Sequence, residues 1–114
     1  MFHARKLDPV ELMRRERQGV QRGDMSEEVA LLWWRIVAEL AEQYVGSRYR
    51  WGGTSPAGFD CTGFVLFVYS QFGIDMPHNE AGQLASGERI SPDAIEPGDV
   101  LVFANTYRAG LSHT

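Results

Sequence analysis

The sequence predicts an α+β domain, because helical patterns come first along the chain and strand patterns come last. Amphipathic spacing from residue 26 and a long apolar segment at 60–73 indicate two helices. A turn followed by apolar β-formers at 100–103 indicates a strand, and residues 111–114 look like the start of another. Because so few strands do not form a stable sheet alone, we expect the sheet to be incomplete at the C-terminus of this chain, or to be completed by another chain.

The N-terminal segment predicts a short, mostly charged helix over residues 8–18. Asp8 is a suitable N-cap, Pro9 suits the first turn, and Glu11 stands where a capping-box partner would. Runs of charge usually face solvent, so we interpret residues 1–25 as a solvated N-terminal helical extension. The alternative is a contact arm for a neighbouring domain.

A stronger helix is predicted to begin after Ser26, a plausible N-cap, and to end at Gly46. Glu27 follows the cap, where an acidic side chain suits the positive end of the helix dipole. Three- and four-residue spacing predicts one apolar face, formed by Val29, Trp33, Ile36, Val37, Leu40 and Tyr44.

The apolar segment 60–73 predicts a buried helix, with Asp60 as its cap and Gly73 as its stop. Its β-branched and aromatic residues make a strand the competing assignment, but its length favours a helix. A short helix is expected around residues 79–86. A turn at 97–99 then leads into the predicted strand at 100–103.

The composition argues against several classes of function. The 114 residues carry a formal net charge of −4, with 11 basic and 15 acidic side chains, whereas nucleic-acid binders are usually basic. One cysteine and three widely spaced histidines are too few for a zinc site, and we expect no metal and no cofactor. The apolar runs are too short to span a membrane, and the N-terminus lacks the apolar core of a signal peptide.

Cys61 is a candidate nucleophile. If the helix prediction is right, its thiol lies in the first turn, where the positive end of the helix dipole favours a thiolate. Thr62 and Gly63 follow without bulk, which leaves the approach to the sulfur open. The alternative is a buried structural cysteine, and spacing alone does not exclude it.

A nucleophilic cysteine also needs a base within hydrogen-bond reach. His113 is the better candidate, because a histidine at the start of a strand can face a helix N-terminus across a cleft. His78 is the rival. It follows a proline only a few residues beyond the predicted helix, so we expect it near the far end of that helix.

Several short motifs, taken together, resemble the NlpC family of cell-wall cysteine peptidases. They occur in the family's order and at about its spacing over residues 45–114, and only their combination is specific. The motifs are YRWGG (49–53), FDCTGFV (59–65), MPHNEAGQ (76–83), PGDVLVF (97–103) and SHT (112–114). The resemblance implies a papain-like fold, in which the cysteine begins a helix packed on an antiparallel sheet that carries the histidine.

The matching motifs imply roles for individual residues. Cys61 would be the nucleophile, His113 the general base, and Tyr49 the tyrosine whose hydroxyl lies near the oxyanion. Asp60 and Thr62 would bind substrate: in related enzymes the aspartate helps to hold the free amine of the peptide, and Thr62 replaces the usual serine. We interpret the remaining polar motif residues as structural, namely His78, Gln83 and Asp99.

The function implied by the resemblance is hydrolysis of amide bonds in peptidoglycan stem peptides, such as the bond between D-glutamate and a diamino acid. The place of action would be outside the cytoplasm, in the cell wall, with a fused or partner wall-binding domain as a further possibility. Residues 26–114 would form the peptidase domain. The family's third polar residue lies beyond His113, and we expect the C-terminal strands to be missing from this chain.

Two other functions stay open. A catalytically impaired remnant or binding module would bind cell-wall peptides without turnover, because the third polar residue is absent. A thiol amidase or acyltransferase would use the same cysteine and histidine, but it would move the acyl group to an acceptor other than water.

Overall fold

The computed structural model describes residues 2–7 and 27–114, and its helices and antiparallel sheet confirm the α+β class. The N-terminal part contributes β1 (Phe2–Lys6) and α1 (Glu27–Glu42). A small hairpin of β2 (Thr54–Ser55) and β3 (Gly58–Phe59) precedes α2 (Cys61–Ser70). The remaining elements are α3 (Glu80–Ala85), β4 (Glu88–Ile90), a 3-10 turn (Pro92–Ala94), β5 (Val100–Ala104) and β6 (Leu111–His113).

The main sheet has four antiparallel strands in the order β4-β1-β5-β6. Ala4 of β1 lies opposite both Ile90 and Leu101, so the N-terminal strand joins β4 to β5. β6 pairs with β5 through Phe103 and His113, and a register shift follows at the next residue. The sheet thereby holds His113 at the end of an edge strand.

The interpretation of residues 1–25 as a helical extension is wrong for residues 2–6, which form β1. The strand β4 was also missed, and so was the β2–β3 hairpin. Short segments adopt strand geometry when they find partners, and the partners of β1 and β4 are distant in sequence. The predicted helix at 8–18 and the cap Ser26 lie outside the described residues, and the domain division at residue 26 stays a prediction.

The core lies between the sheet and the helix that begins at Cys61. Val68 and Tyr69 of α2 pack with the sheet residues Val100 and Val102, and all four are buried. Leu7, directly after β1, is fully buried in the same cluster, so the N-terminal strand also helps to cover α2. Burial of this apolar surface is the main force that holds the cysteine helix on the sheet.

Only part of the predicted apolar face of α1 is buried. Val37 is in the core, and the Trp33 ring lies 6.1 Å from the Tyr69 ring and 5.7 Å from the Phe72 ring. Ile36, which was predicted to lie on this face, is instead 51% exposed. The helix contacts α2 along a narrow stripe, so a side chain next to that stripe stays in solvent.

Two polar contacts tie β1 and α2 to the turn before β5. The Lys6 ammonium donates to Asp99 Oδ1 at 2.8 Å, and the Asp99 side chain is fully buried. Asp99 Oδ2 accepts from the Glu96 amide at 2.9 Å, which agrees with a structural role for Asp99 in its turn. The buried Tyr69 hydroxyl donates to the carbonyl of Gly98. These bonds fix the turn from which β5 starts.

Candidate active site

The local sequence around Cys61 creates a capped helix start. Asp60 adopts an extended backbone, and its Oδ1 accepts the Gly63 amide at 2.6 Å, which makes it the N-cap of α2. Cys61 is the first helical residue and is partly exposed. The positive end of the helix dipole therefore lies at the thiol.

Cys61 and His113 line the same cleft, which has a volume of about 910 Å³. Its walls come from the end of α1, the loop at 44–52, the start of α3 and the loop at 105–110. His113 reaches the cleft from the end of β6 and is exposed. Among the described residues, no hydrogen bond joins the thiol to His113, although both groups line the same cleft.

The Asp60 carboxylate is the centre of a hydrogen-bond network. Besides the Gly63 amide, it accepts from the Gly52 amide at 2.9 Å and from the Thr62 hydroxyl at 3.4 Å, and it lies 3.0 Å from His78 Nε2. Burial opposes ionisation of Asp60, but the bonds to His78, Gly63 and Gly52 outweigh it and lower the pKa. The network links the YRWGG loop to the helix start.

The expectation that His78 lies near the far end of the cysteine helix is wrong. The chain reverses after α2 at Gly73, which has a positive φ of 78°, and returns His78 to the helix start. His78 and His113 both line the cleft, but His78 is bonded to Asp60. The geometry therefore gives His78 a partner other than the thiol.

Tyr49 and Thr62 have different environments. Tyr49 lines the cleft and is 66% exposed, and partial desolvation, together with Asp60, Cys61 and Tyr107, raises its pKa. Thr62 also borders the cleft but is only 5% exposed. Its carbonyl accepts from Gln83 Nε2 at 2.9 Å, and the same amide donates to Pro77 at 3.0 Å. The fully buried Gln83 thus connects α3 to the start of α2, which is consistent with a structural role for this residue.

Sequence reasoning missed one group of residues at the cleft. Arg108 Nη2 lies 3.2 Å from Glu80 Oε1, and its Nε donates to the Tyr107 hydroxyl at 3.3 Å. The bond to Tyr107, with nearby negative charge at Glu80 and Cys61, raises the pKa of Arg108. No motif marks this loop, but its position a few residues before His113 is a signal that could have directed attention to it.

The described parts of the chain offer no cluster of three or more histidine, cysteine, aspartate or glutamate side chains able to hold a metal ion. None of the helices in residues 27–114 has the length and apolar character needed to cross a membrane.

Comparisons with known proteins identify the relatives of this chain. It is 47% identical over 79 residues to the gamma-DL-glutamyl hydrolase of Bacillus subtilis strain 168, a match that covers 68% of this chain and 19% of that protein. It is 41% identical over 78 residues to a protein of Listeria innocua named probable endopeptidase p60. That match covers 68% of this chain and 16% of that protein. The chain thus spans less than a fifth of the length of these two relatives.

A solved structure points to the same family as the relatives found by sequence. The NlpC/p60 domain of the peptidoglycan hydrolase SagA superposes with a TM-score of 0.59 at 36% identity, and the match covers 68% of this chain and 65% of that one. The family match extends over residues 46–114, which include the cysteine helix, the histidine strand and the loops around the cleft. The resemblance and the papain-like fold are therefore confirmed: the chain belongs to the NlpC/P60 family.

Proposed function

We propose that the chain is a cysteine peptidase that hydrolyses amide bonds in peptidoglycan stem peptides. The observation that carries the proposal is the shared cleft of Cys61, at the start of α2, and His113, at the end of β6. Nucleophilic catalysis needs an activated thiol and a base facing one substrate site. The place of action would be the cell wall.

The reaction would proceed by acyl transfer. The Cys61 thiolate attacks the amide carbonyl and forms a tetrahedral intermediate. The C–N bond then breaks as His113, in its protonated form, donates a proton to the leaving amine, which leaves a thioester on Cys61. Water, deprotonated by His113, attacks this thioester, and the step releases the carboxylic acid and regenerates the Cys61 thiolate and the protonated His113.

The other candidate residues would assist this chemistry. Tyr49 is exposed on the cleft wall, from which its hydroxyl could donate to the oxyanion together with the Cys61 amide. Among the described residues Asp60 Oδ2 accepts only from Gly52, so it keeps acceptor capacity for the amine of a substrate peptide. Thr62, buried and bonded to Asp60, would act by orienting that carboxylate.

The substrate class is supported by the names of the relatives. One relative is named for hydrolysis of gamma-glutamyl bonds, and the SagA domain comes from a peptidoglycan hydrolase. A γ-D-glutamyl bond to a diamino acid occurs in stem peptides and unites the two descriptions. We therefore propose this bond as the one cleaved.

The first test is digestion of purified muropeptides by the full chain, with products identified by mass spectrometry. The Cys61→Ala and His113→Gln variants should lose cleavage. His3→Gln is the matched control, because His3 lies on β1 and does not line the cleft. His78→Gln should keep measurable cleavage if His113 is the base, whereas loss in His78→Gln alone would assign the base to His78.

The same experiment separates the alternatives. Full cleavage by Cys61→Ala would contradict the proposal. Binding of stem peptides without any turnover in the unmodified chain would favour the binding module. Products in which the acyl group has moved to an added amine, rather than to water, would favour an acyltransferase.

A further inference from the structure

Arg108 presents a half-exposed cation to the cleft that contains Cys61. Its side chain is 49% exposed, and the residue lines the cleft together with its neighbour Tyr107. A guanidinium has five N–H donors, and the contacts to Glu80 and Tyr107 use two of them. The remaining donors are available to an acceptor that enters the cleft.

The surrounding contacts hold this cation in place. Glu80 is the first residue of α3, and its side chain is only 15% exposed. The Arg108 guanidinium also lies over the Tyr107 ring, 5.5 Å from its centroid. The loop itself is closed by the Asn105 and Gly110 backbones, whose amide–carbonyl bond is 2.8 Å long. Such an arginine loses little freedom when it binds a ligand.

His113 at the cleft is assigned to proton transfer, and the other groups there that can carry charge leave Arg108 as the better anion receptor. Asp60 and Glu80 repel a carboxylate, and His78 is bonded to Asp60. Arg48 also lines the cleft, but among the described residues no hydrogen bond or ion pair holds its side chain in one position. An arginine fork matches a carboxylate in geometry and can bind both of its oxygens.

The chemistry of the proposed substrate supplies such a carboxylate. When a glutamyl residue is linked through its γ-carboxyl, its α-carboxylate stays free and lies only a short aliphatic stem from the scissile carbonyl. A peptide bond formed by a residue without an acidic side chain has no charged group at that place. A cation near the nucleophile can therefore distinguish a γ-linked glutamyl residue from such a residue.

We propose that Arg108 is a specificity residue, which binds the free α-carboxylate of a γ-linked glutamyl residue while Cys61 faces its γ-carbonyl. The inference rests on the proposed function and deepens it, because it names the group that the cleft recognises. It also distinguishes a substrate with a free α-carboxylate from one in which that group is amidated. The amide has the same shape but no charge.

The test measures binding to the full chain carrying Cys61→Ala, by calorimetry, with two synthetic peptides. One is L-alanyl-γ-D-glutamyl-L-lysine, and the other is its α-amide. The acid should bind about tenfold to a hundredfold more tightly than the amide, as expected for a hydrogen-bonded charge pair. Adding Arg108→Gln should lower the affinity for the acid to that for the amide, and it should leave the affinity for the amide unchanged.

Two further variants separate recognition from loop position. Glu80→Gln breaks the same ion pair but keeps the cation, so it should retain the preference for the acid. Arg89→Gln makes the same change of charge on β4, at the opposite edge of the sheet from β6, and should have no effect. If Arg108→Gln and Glu80→Gln each weakened binding of the acid and of the amide equally, the inference would be overturned, because the result would indicate only a displaced loop.

The outcome is independent of turnover. Equal binding of the acid and the amide, or no binding of either, overturns the role of Arg108 whatever the cleavage assays give. A clear preference for the acid that disappears in Arg108→Gln supports the role even if the unmodified chain cleaves nothing, in which case the proposed peptidase activity alone fails.

Discussion

Asp60 Oδ1 and His78 Nε2 lie 3.0 Å apart at the start of the helix that begins with Cys61. This contact joins the segment after α2 to the N-cap of α2, although the two residues are separated by the whole helix. The same carboxylate caps the helix and accepts an amide from the YRWGG loop. One side chain thus fixes the position of Cys61 relative to the YRWGG loop and to the segment after α2.

We expect Asp60→Asn to lower the free energy of unfolding by about 1–2 kcal/mol at neutral pH, because the cap and the charged hydrogen bonds weaken. The folded-state pKa of Asp60 is lowered, so its contribution is present above the unfolded carboxyl pKa and is lost as pH falls through the folded value. The difference in free energy of unfolding between the variant and the unmodified protein should therefore become smaller in acid. Urea unfolding at several pH values measures it.

The matched control for this prediction is Asp93→Asn, which changes an exposed carboxylate in the 3-10 turn. The free energy of unfolding of this variant should stay within about 0.5 kcal/mol of the value for the unmodified protein. A stability difference for Asp60→Asn that is independent of pH would show that the charge of Asp60 is not what stabilises the helix start.

We expect Tyr69 to titrate only when the protein unfolds. Burial, with a smaller effect from Asp99, raises its pKa above the ordinary value, so the stability that depends on its neutral form is present below about pH 10 and is lost as pH rises further. Spectrophotometric titration should show a delayed phase that coincides with alkaline unfolding. Tyr69→Phe should lack this phase, whereas Tyr107→Phe, at an exposed site, should keep it.

We expect Gln83→Leu to destabilise the protein by about 1–3 kcal/mol, although the change in side-chain volume is small. The carbonyls of Thr62 and Pro77 would lose a shared buried donor. Thermal unfolding measures the loss. Gln71→Leu, at the exposed end of α2, is the control and should be nearly neutral, and equal effects of the two changes would contradict a special role for Gln83.

We expect Gly63→Ala to be severely destabilising, by about 3 kcal/mol or more. A Cβ at this position would lie 1.8 Å from the carbonyl oxygen of Gly53, so the helix and the YRWGG loop would have to separate. An alanine inside a helix otherwise stabilises it by up to about 1 kcal/mol, so the sign of the change is diagnostic. A stability equal to or above that of the unmodified protein would refute the close approach.

Features encoded by neighbouring residues could be predicted from the sequence. The α2 helix, its Asp60 cap and the helix-start position of Cys61 follow from local capping signals and are confirmed. The strand predicted at 100–103 is observed at Val100–Ala104, where a turn and apolar β-formers mark it, and the strand that carries His113 was expected from a short segment after a loop.

Features that depend on distant partners could not be predicted. Phe2–Lys6 has no strong strand pattern of its own, and its geometry comes from pairing with β4 and β5. The return of His78 to Asp60 depends on the direction of the chain after Gly73, which spacing does not reveal. Arg108 belongs to none of the recognised motifs, and its ion pair with Glu80 forms only when the loop is folded. The catalytic roles of Cys61 and His113 stay predictions.

The central position of β1 has a consequence for how the protein reaches its native state. β4 and β5 flank β1 and pair with it, so the sheet is joined by a strand whose two partners are distant in sequence. During synthesis, Phe2–Lys6 has no partner strand in this sheet until Glu88–Ile90 has been made, and its second partner, Val100–Ala104, follows later. Such non-local pairing folds slowly and leaves an exposed strand open to wrong partners. Closure of the main sheet around β1 is therefore expected late in folding, after both of its partner strands have been synthesised.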